Sequence, residues 1–176
     1  MMGISVLIIF YLAAYSYWSF KRPNYNHYEK TISELGETGS GLERKVGLSL
    51  FLPIGLGLAA IAWFAAPDQH VALLAAAMSL GYIGGAIFPI DEGAPISGSW
   101  KNGLHNLFGG IEYMGAIAAL QLWQSELSFL SSFLQLSIIV FIASLYIPLV
   151  RQFRGLLQRM AEIGLFLILW FAINHV

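Results

Sequence analysis

Apolar residues gather in six stretches, near Ile4–Phe20, Val46–Ala66, Val71–Ile90, Leu104–Trp123, Phe129–Val150 and Leu156–Ala172, with polar segments between them. Each runs for about 17 to 22 residues, enough for a helix to cross roughly 30 Å of hydrocarbon. The pattern predicts an all-α, polytopic membrane bundle of six transmembrane helices, forming a single domain over residues 1–176. Trp18, Trp63, Trp123 and Trp170 fall near the ends of these stretches. At a membrane interface an indole ring can be buried while its N–H stays wet.

Side-chain size divides the six runs. The second, third and fourth are rich in small residues, among them Gly55, Gly57, Gly81, Gly84, Gly85, Gly109, Gly110 and Gly115. In lipid no hydrophobic force draws helices together, so small residues that let backbones approach predict the tight centre. The first, fifth and sixth runs are bulkier in Leu, Ile and Phe and read as the lipid-facing helices. Pro53 lies inside the second run and predicts a kink there, whereas Pro89 and Pro148 stand where they would end helices. In the longest loop, Thr31-Ile32-Ser33-Glu34 matches a capping box that starts a short helix, and Gly36, Gly39 and Gly41 follow to break it.

Charge orients the bundle. All 9 Lys and Arg residues lie in alternate loops: Lys21, Arg22, Lys30, Arg44 and Lys45, then Lys101, then Arg151, Arg154 and Arg159. The loops around Asp68 to His70 and Ser125 to Ser128 carry none. Short basic loops stay cytoplasmic, so both termini are expected outside a plasma (inner) membrane, with loops 21–45, 91–103 and 151–159 inside. Lys21-Arg22 directly after the first run, with no basic residue before it, reads as a retained anchor rather than a cleaved signal peptide. A hydrophobic content of 57% against 11% charged residues, with a mean hydropathy of +0.69, sets the chain among membrane proteins. The net charge of −1 excludes the basic face that nucleic acid needs, and the absence of Cys excludes thiolate chemistry.

The expected cytoplasmic side holds most of the groups capable of chemistry. They form three clusters: Ser33, Glu34 and Glu37 in the first loop; Asp91 and Glu92 after Pro89; and His105 with Asn106 at the start of the fourth run. Asp91 reads as a solvated loop acid or N-cap, or else as a site residue beside His105. His105 suits proton transfer or metal binding, because imidazole titrates near neutral pH; alternatively it anchors a helix end. Glu112 lies seven residues on, so it shares a helix face with His105 about 10 Å deeper. An isolated ion at that depth costs several kcal/mol, so Glu112 must face water, a pocket or a core hydroxyl such as that of Ser79 or Tyr82. Glu162 reads as an interfacial partner of Arg159 at i, i+3 spacing. His27, in the Asn-Tyr-Asn-His-Tyr stretch, reads as a headgroup-level anchor.

The segments Ile32-Ser33-Glu34-Leu35-Gly36, Phe88-Pro89-Ile90-Asp91 and Leu104-His105-Asn106 resemble those of a family of six-span bacterial and archaeal membrane proteins, domain of unknown function 998. The resemblance implies fold and topology and draws attention to Ser33, Asp91 and His105, but it implies no reaction. The expected function is binding of a lipid or isoprenoid-like amphiphile in a cytoplasm-facing polar pocket. Glu34, Glu37, Asn106 and Glu112 would contribute to binding. A hydrolase or transferase step on a lipid-like substrate would fall to His105 as base, Asp91 as its orienting partner and Ser33 as nucleophile. A divalent metal would have hard ligands in His105 and Asp91, although no HExxH or HxxxH spacing supports one. Two other classes compete with this reading. One is a small proton-linked transporter using Glu112, expected as a homodimer; the other is an accessory membrane subunit without catalysis. Membrane lipids are the expected partners, and the accessory subunit would also dock a cytoplasmic partner through its polar loops.

Overall fold

A computed structural model describes residues 2–65, 68–123 and 128–175, which form helices and loops with no strand among them. Most of the Ser125–Ser128 loop, and Ala66 at the expected end of the second run, lie outside the described residues. The long helices are α1 (Met2–Lys21), α2 (Glu43–Phe64), α3 (Gln69–Ile87), α4 (Trp100–Leu122), α5 (Ser128–Tyr146) and α6 (Arg154–His175). A 3₁₀ turn (Ile32–Gly36) precedes α2, and a short helical turn (Pro148–Arg151) precedes α6. Among the described residues, the 5 long helices α1, α2, α3, α5 and α6 are long and apolar enough to cross a membrane, which makes the chain a multi-pass membrane protein. α4 has ample length at 23 residues, but it carries Lys101, Asn102, His105, Asn106 and Glu112.

Prolines end the helices where the sequence places them. Phe88 is extended, with φ −116° and ψ 91°, because the ring of Pro89 crowds the helical region for the residue before it. Ile147, before Pro148, is extended for the same reason, and α5 stops at Tyr146. Pro53 is handled differently. Its missing N–H would orphan the Ser49 carbonyl four residues back, and that carbonyl sits in a π turn, Gly47–Phe51, that widens the helix ahead of the proline. N-caps set the opposite ends. Asp68 accepts from the backbone of His70 and Val71 at 3.1 and 3.2 Å, and Ser99 accepts from Asn102 at 3.2 Å.

Close backbone contact centres on α3, packed between α2 and α4 as the small residues predict. A Cβ on Gly55 would stand 2.6 Å from Ile83, and one on Gly47 would stand 2.8 Å from the Ala86 carbonyl. Across the other interface, Gly81 and Gly84 receive Glu112 and Phe108 of α4, and Gly115 meets Ala77. Gly109 and Gly110 break this pattern, since a Cβ on either would meet nothing within 4 Å.

The three basic loops meet at one end of the bundle. The buried Glu34 carboxylate accepts from Arg154 at 2.9 Å and from the Thr31 N–H at 2.7 Å, closing the 3₁₀ turn as the capping pattern predicts. Glu37, also buried, pairs with Arg22 and Lys30 and accepts from the Gly93 N–H at 2.8 Å. Arg154 adds a 3.2 Å bond to the Gly93 carbonyl. Residues of three separate loops are thereby tied by charge-assisted bonds. Both acids, expected as binding groups, have their carboxylates committed to these structural pairs.

Candidate functional site

Beneath this knot lies a cavity of about 330 Å³ between α3, α4, α5 and α6, roofed by Thr31, Ile32 and Ser33. Its size sits at the lower end of ligand pockets, roughly 300–1,000 Å³. Helical periodicity sets what α4 contributes: His105, Gly109, Glu112 and Tyr113 share the inward face, and Asn106 borders the mouth. Ser33, His105, Asn106 and Glu112, all expected at a site, therefore line one cavity.

His105 owes its orientation to Pro89. Because the proline ends α3, the Phe88 carbonyl is released from helical pairing and takes a 2.7 Å hydrogen bond from His105 Nδ1. A carbonyl only accepts, so Nδ1 carries the hydrogen of the neutral ring, and Nε2 is left with the lone pair. Asp91, expected to orient His105 or share a metal with it, is bonded instead to Ser99. Its two oxygens accept from the Ser99 hydroxyl at 2.8 Å and the Ser99 N–H at 2.6 Å. Asp91 thus holds the residue that caps α4, with Asn102 accepting from the Asp91 N–H at 3.1 Å. Among the described residues, no group of three or more His, Asp or Glu side chains is placed to hold a metal ion.

Glu112 is 7% exposed and its Oε1 has no hydrogen-bond partner. The hydroxyls expected to serve it are engaged elsewhere, Ser79 with the Gly55 carbonyl at 2.8 Å and Tyr82 with Glu162 at 2.9 Å. Its carboxyl occupies the space that a side chain on Gly81 would fill, so the glycine fixes how close Glu112 stands to α3.

Glu162 corrects the expectation of a surface pair. It is buried at 2% exposure in the wall of the same cavity, and it accepts from Tyr113 at 2.7 Å as well as from Tyr82. Gln158, one turn earlier on α6, donates to Tyr113 at 3.2 Å while accepting the Ile32 N–H at 2.6 Å. A hydrogen-bonded chain thus runs from the 3₁₀ turn to the buried acid. Sequence reasoning passed over Gln158 and Tyr113, and named Tyr82 only as a partner for Glu112. The available signal was the i, i+4 spacing of Gln158 and Glu162, which puts both on one face of α6.

Arg159, the partner expected for Glu162, turns to the first loop. It stacks on Tyr15 and Tyr25 at 5.4 and 5.5 Å and donates to the carbonyls of His27 and Lys30 at 2.7 and 2.9 Å. Burial raises the Tyr25 hydroxyl above its ordinary value against the opposing pull of Arg159. His27 is lowered, first by burial and then by the Arg159 charge. The Asn-Tyr-Asn-His-Tyr stretch is therefore bonded to the bundle through Arg159.

The lining extends sideways through Gly109, Gly110 and Met114 of α4 and Ile142, Leu145 and Tyr146 of α5. Met114 and Tyr146 are 61% and 63% exposed, so the gap between these helices reaches the flank of the bundle. In comparison with known proteins, a family model described as "Protein of unknown function (DUF998)" matches residues 4–173. No curated protein and no solved structure matches the chain.

Proposed function

Because the chain belongs to the DUF998 family, whose description gives no activity, we propose its function from the cavity itself: it binds a lipid-like amphiphile, polar head inward and apolar chain leaving between α4 and α5. The observation that carries this reading is one cavity with a buried polar end at Glu112, Glu162 and His105 and an apolar opening on the flank of the bundle. A soluble ligand would not need an exit through a wall that faces hydrocarbon, whereas an alkyl chain gains by staying in it. In this reading the bundle crosses the plasma membrane six times. Its knotted loop end, which holds the basic residues, faces the cytoplasm, and Ser33 and Asn106 line the cavity on that side.

The test is the lipid content of purified protein, measured by mass spectrometry after reconstitution in nanodiscs. Wild type is expected to retain a bound amphiphile at near-stoichiometric level. Gly109→Leu, at a position where a Cβ would meet nothing within 4 Å, is expected to lose it while keeping the wild-type Tm. His105→Ala should weaken retention. Wild-type protein holding no more lipid than an unrelated helical membrane protein would overturn the reading.

A further inference from the structure

The charge of the cavity selects among amphiphiles. Two carboxyls, Glu112 and Glu162, belong to its lining, and no Lys or Arg does. The two arginines of α6 are committed elsewhere: Arg154 to Glu34 and the Gly93 carbonyl, Arg159 to the first loop. Glu162 already accepts from Tyr82 and Tyr113, but the buried Glu112 Oε1 accepts from nothing. A buried acceptor without a donor is costly, and acceptors in such positions mark where a donor arrives. A phosphate or sulfate head would bring negative charge against two carboxyls without a compensating cation. A protonated amine would supply the missing N–H to Glu112 and lie among the rings of Tyr82 and Tyr113, whose faces attract cations.

We infer that the ligand is an amphiphilic amine, a protonated nitrogen on an alkyl chain, with Glu112 as the receiving group. The inference rests on the amphiphile reading above and adds to it the charge and donor character of the head. Gly81 supports the assignment, because a glycine there is what allows the Glu112 carboxyl to sit against α3, facing the cavity.

Three probes of one chain length separate the possibilities: dodecylamine, dodecanol and dodecyl phosphate, titrated into the full-length protein in nanodiscs and read by native mass spectrometry. Dodecylamine is expected to saturate at one molecule per chain, about tenfold or more tighter than the other two, the worth of a charge-assisted hydrogen bond. Glu112→Gln should remove that preference, so that dodecylamine binds no more tightly than dodecanol. Equal binding of all three probes, or tighter binding of dodecyl phosphate, overturns the amine assignment and leaves the amphiphile reading standing. Binding of none overturns both. If Glu112→Gln does not fold, the comparison of the three probes on wild type decides alone.

Discussion

A proton count at single residues predicts that the first loop contributes a pH-dependent term to stability. Arg159 Nε donates to the Tyr15 hydroxyl at 2.6 Å, and arginine cannot accept, so the Tyr15 hydrogen is directed to His27 Nδ1 at 2.5 Å. The chain of bonds requires Nδ1 to hold a lone pair. Consistently, His27 is lowered from its ordinary 6.5 by burial and by Arg159. A basic group lowered on folding makes the unfolded chain bind more protons between the folded pKa and 6.5, so stability should rise with pH through that window and fall on acidification. His27 is largely exposed, which keeps the effect small. Thermal unfolding between about pH 5 and 7 should show this slope in wild type and a flatter one in His27→Asn. An unchanged slope would mean that the lowered proton affinity has another source. At the same scale, Glu162 was misread because its spacing from Arg159 suggested a local pair. What decides its place is a competing demand on Arg159 from Tyr25 and Lys30, 134 and 129 residues away along the chain, and no local pattern carries that information.

Among the elements, α3 shows most clearly what pattern can specify. The Asp68 cap starts it ahead of the run expected from Val71, but its end before Pro89 and its glycine face were legible from residue types, because prolines and small residues act through local sterics. The π turn in α2 was not: Pro53 announces a disturbance, and only packing decides whether a helix kinks or widens to absorb it. The glycines of α4 divide in the same way. Composition cannot tell Gly115, which lets Ala77 approach, from Gly109 and Gly110, which leave space open. Gly81→Ala should therefore act where Gly110→Ala does not. The added methyl at 81 meets the Glu112 carboxyl, and the expected cost is about 1–3 kcal/mol in unfolding experiments together with lost amphiphile retention. Near-wild-type values for both variants would show that Glu112 can move aside freely.

For the whole molecule, the sequence located the polar groups at one end through loop charge, and the loops meet there through Glu34, Glu37 and Arg154. Which of the expected residues would line a cavity and which would tie the loops was not legible, because an acid in a loop reads the same in either role until its partners are known. Sidedness across the membrane can be measured directly, because the chain has no native Cys. Glu92→Cys at the knotted end and Gln69→Cys at the other end replace exposed residues. On intact cells an impermeant maleimide should label position 69, and should reach 92 only after permeabilisation. The reverse pattern would invert the orientation and place the mouth of the cavity outside. The knot itself has a consequence in time. Glu34 finds its cation 120 residues later in the chain, and the Ile32 N–H finds its acceptor 126 residues later. At about 5–20 residues per second, a ribosome delivers Arg154 on the order of ten seconds after Glu34. Throughout that interval the roof of the cavity lacks its Arg154 and Gln158 partners, so the site can close as described only once α6 has been made.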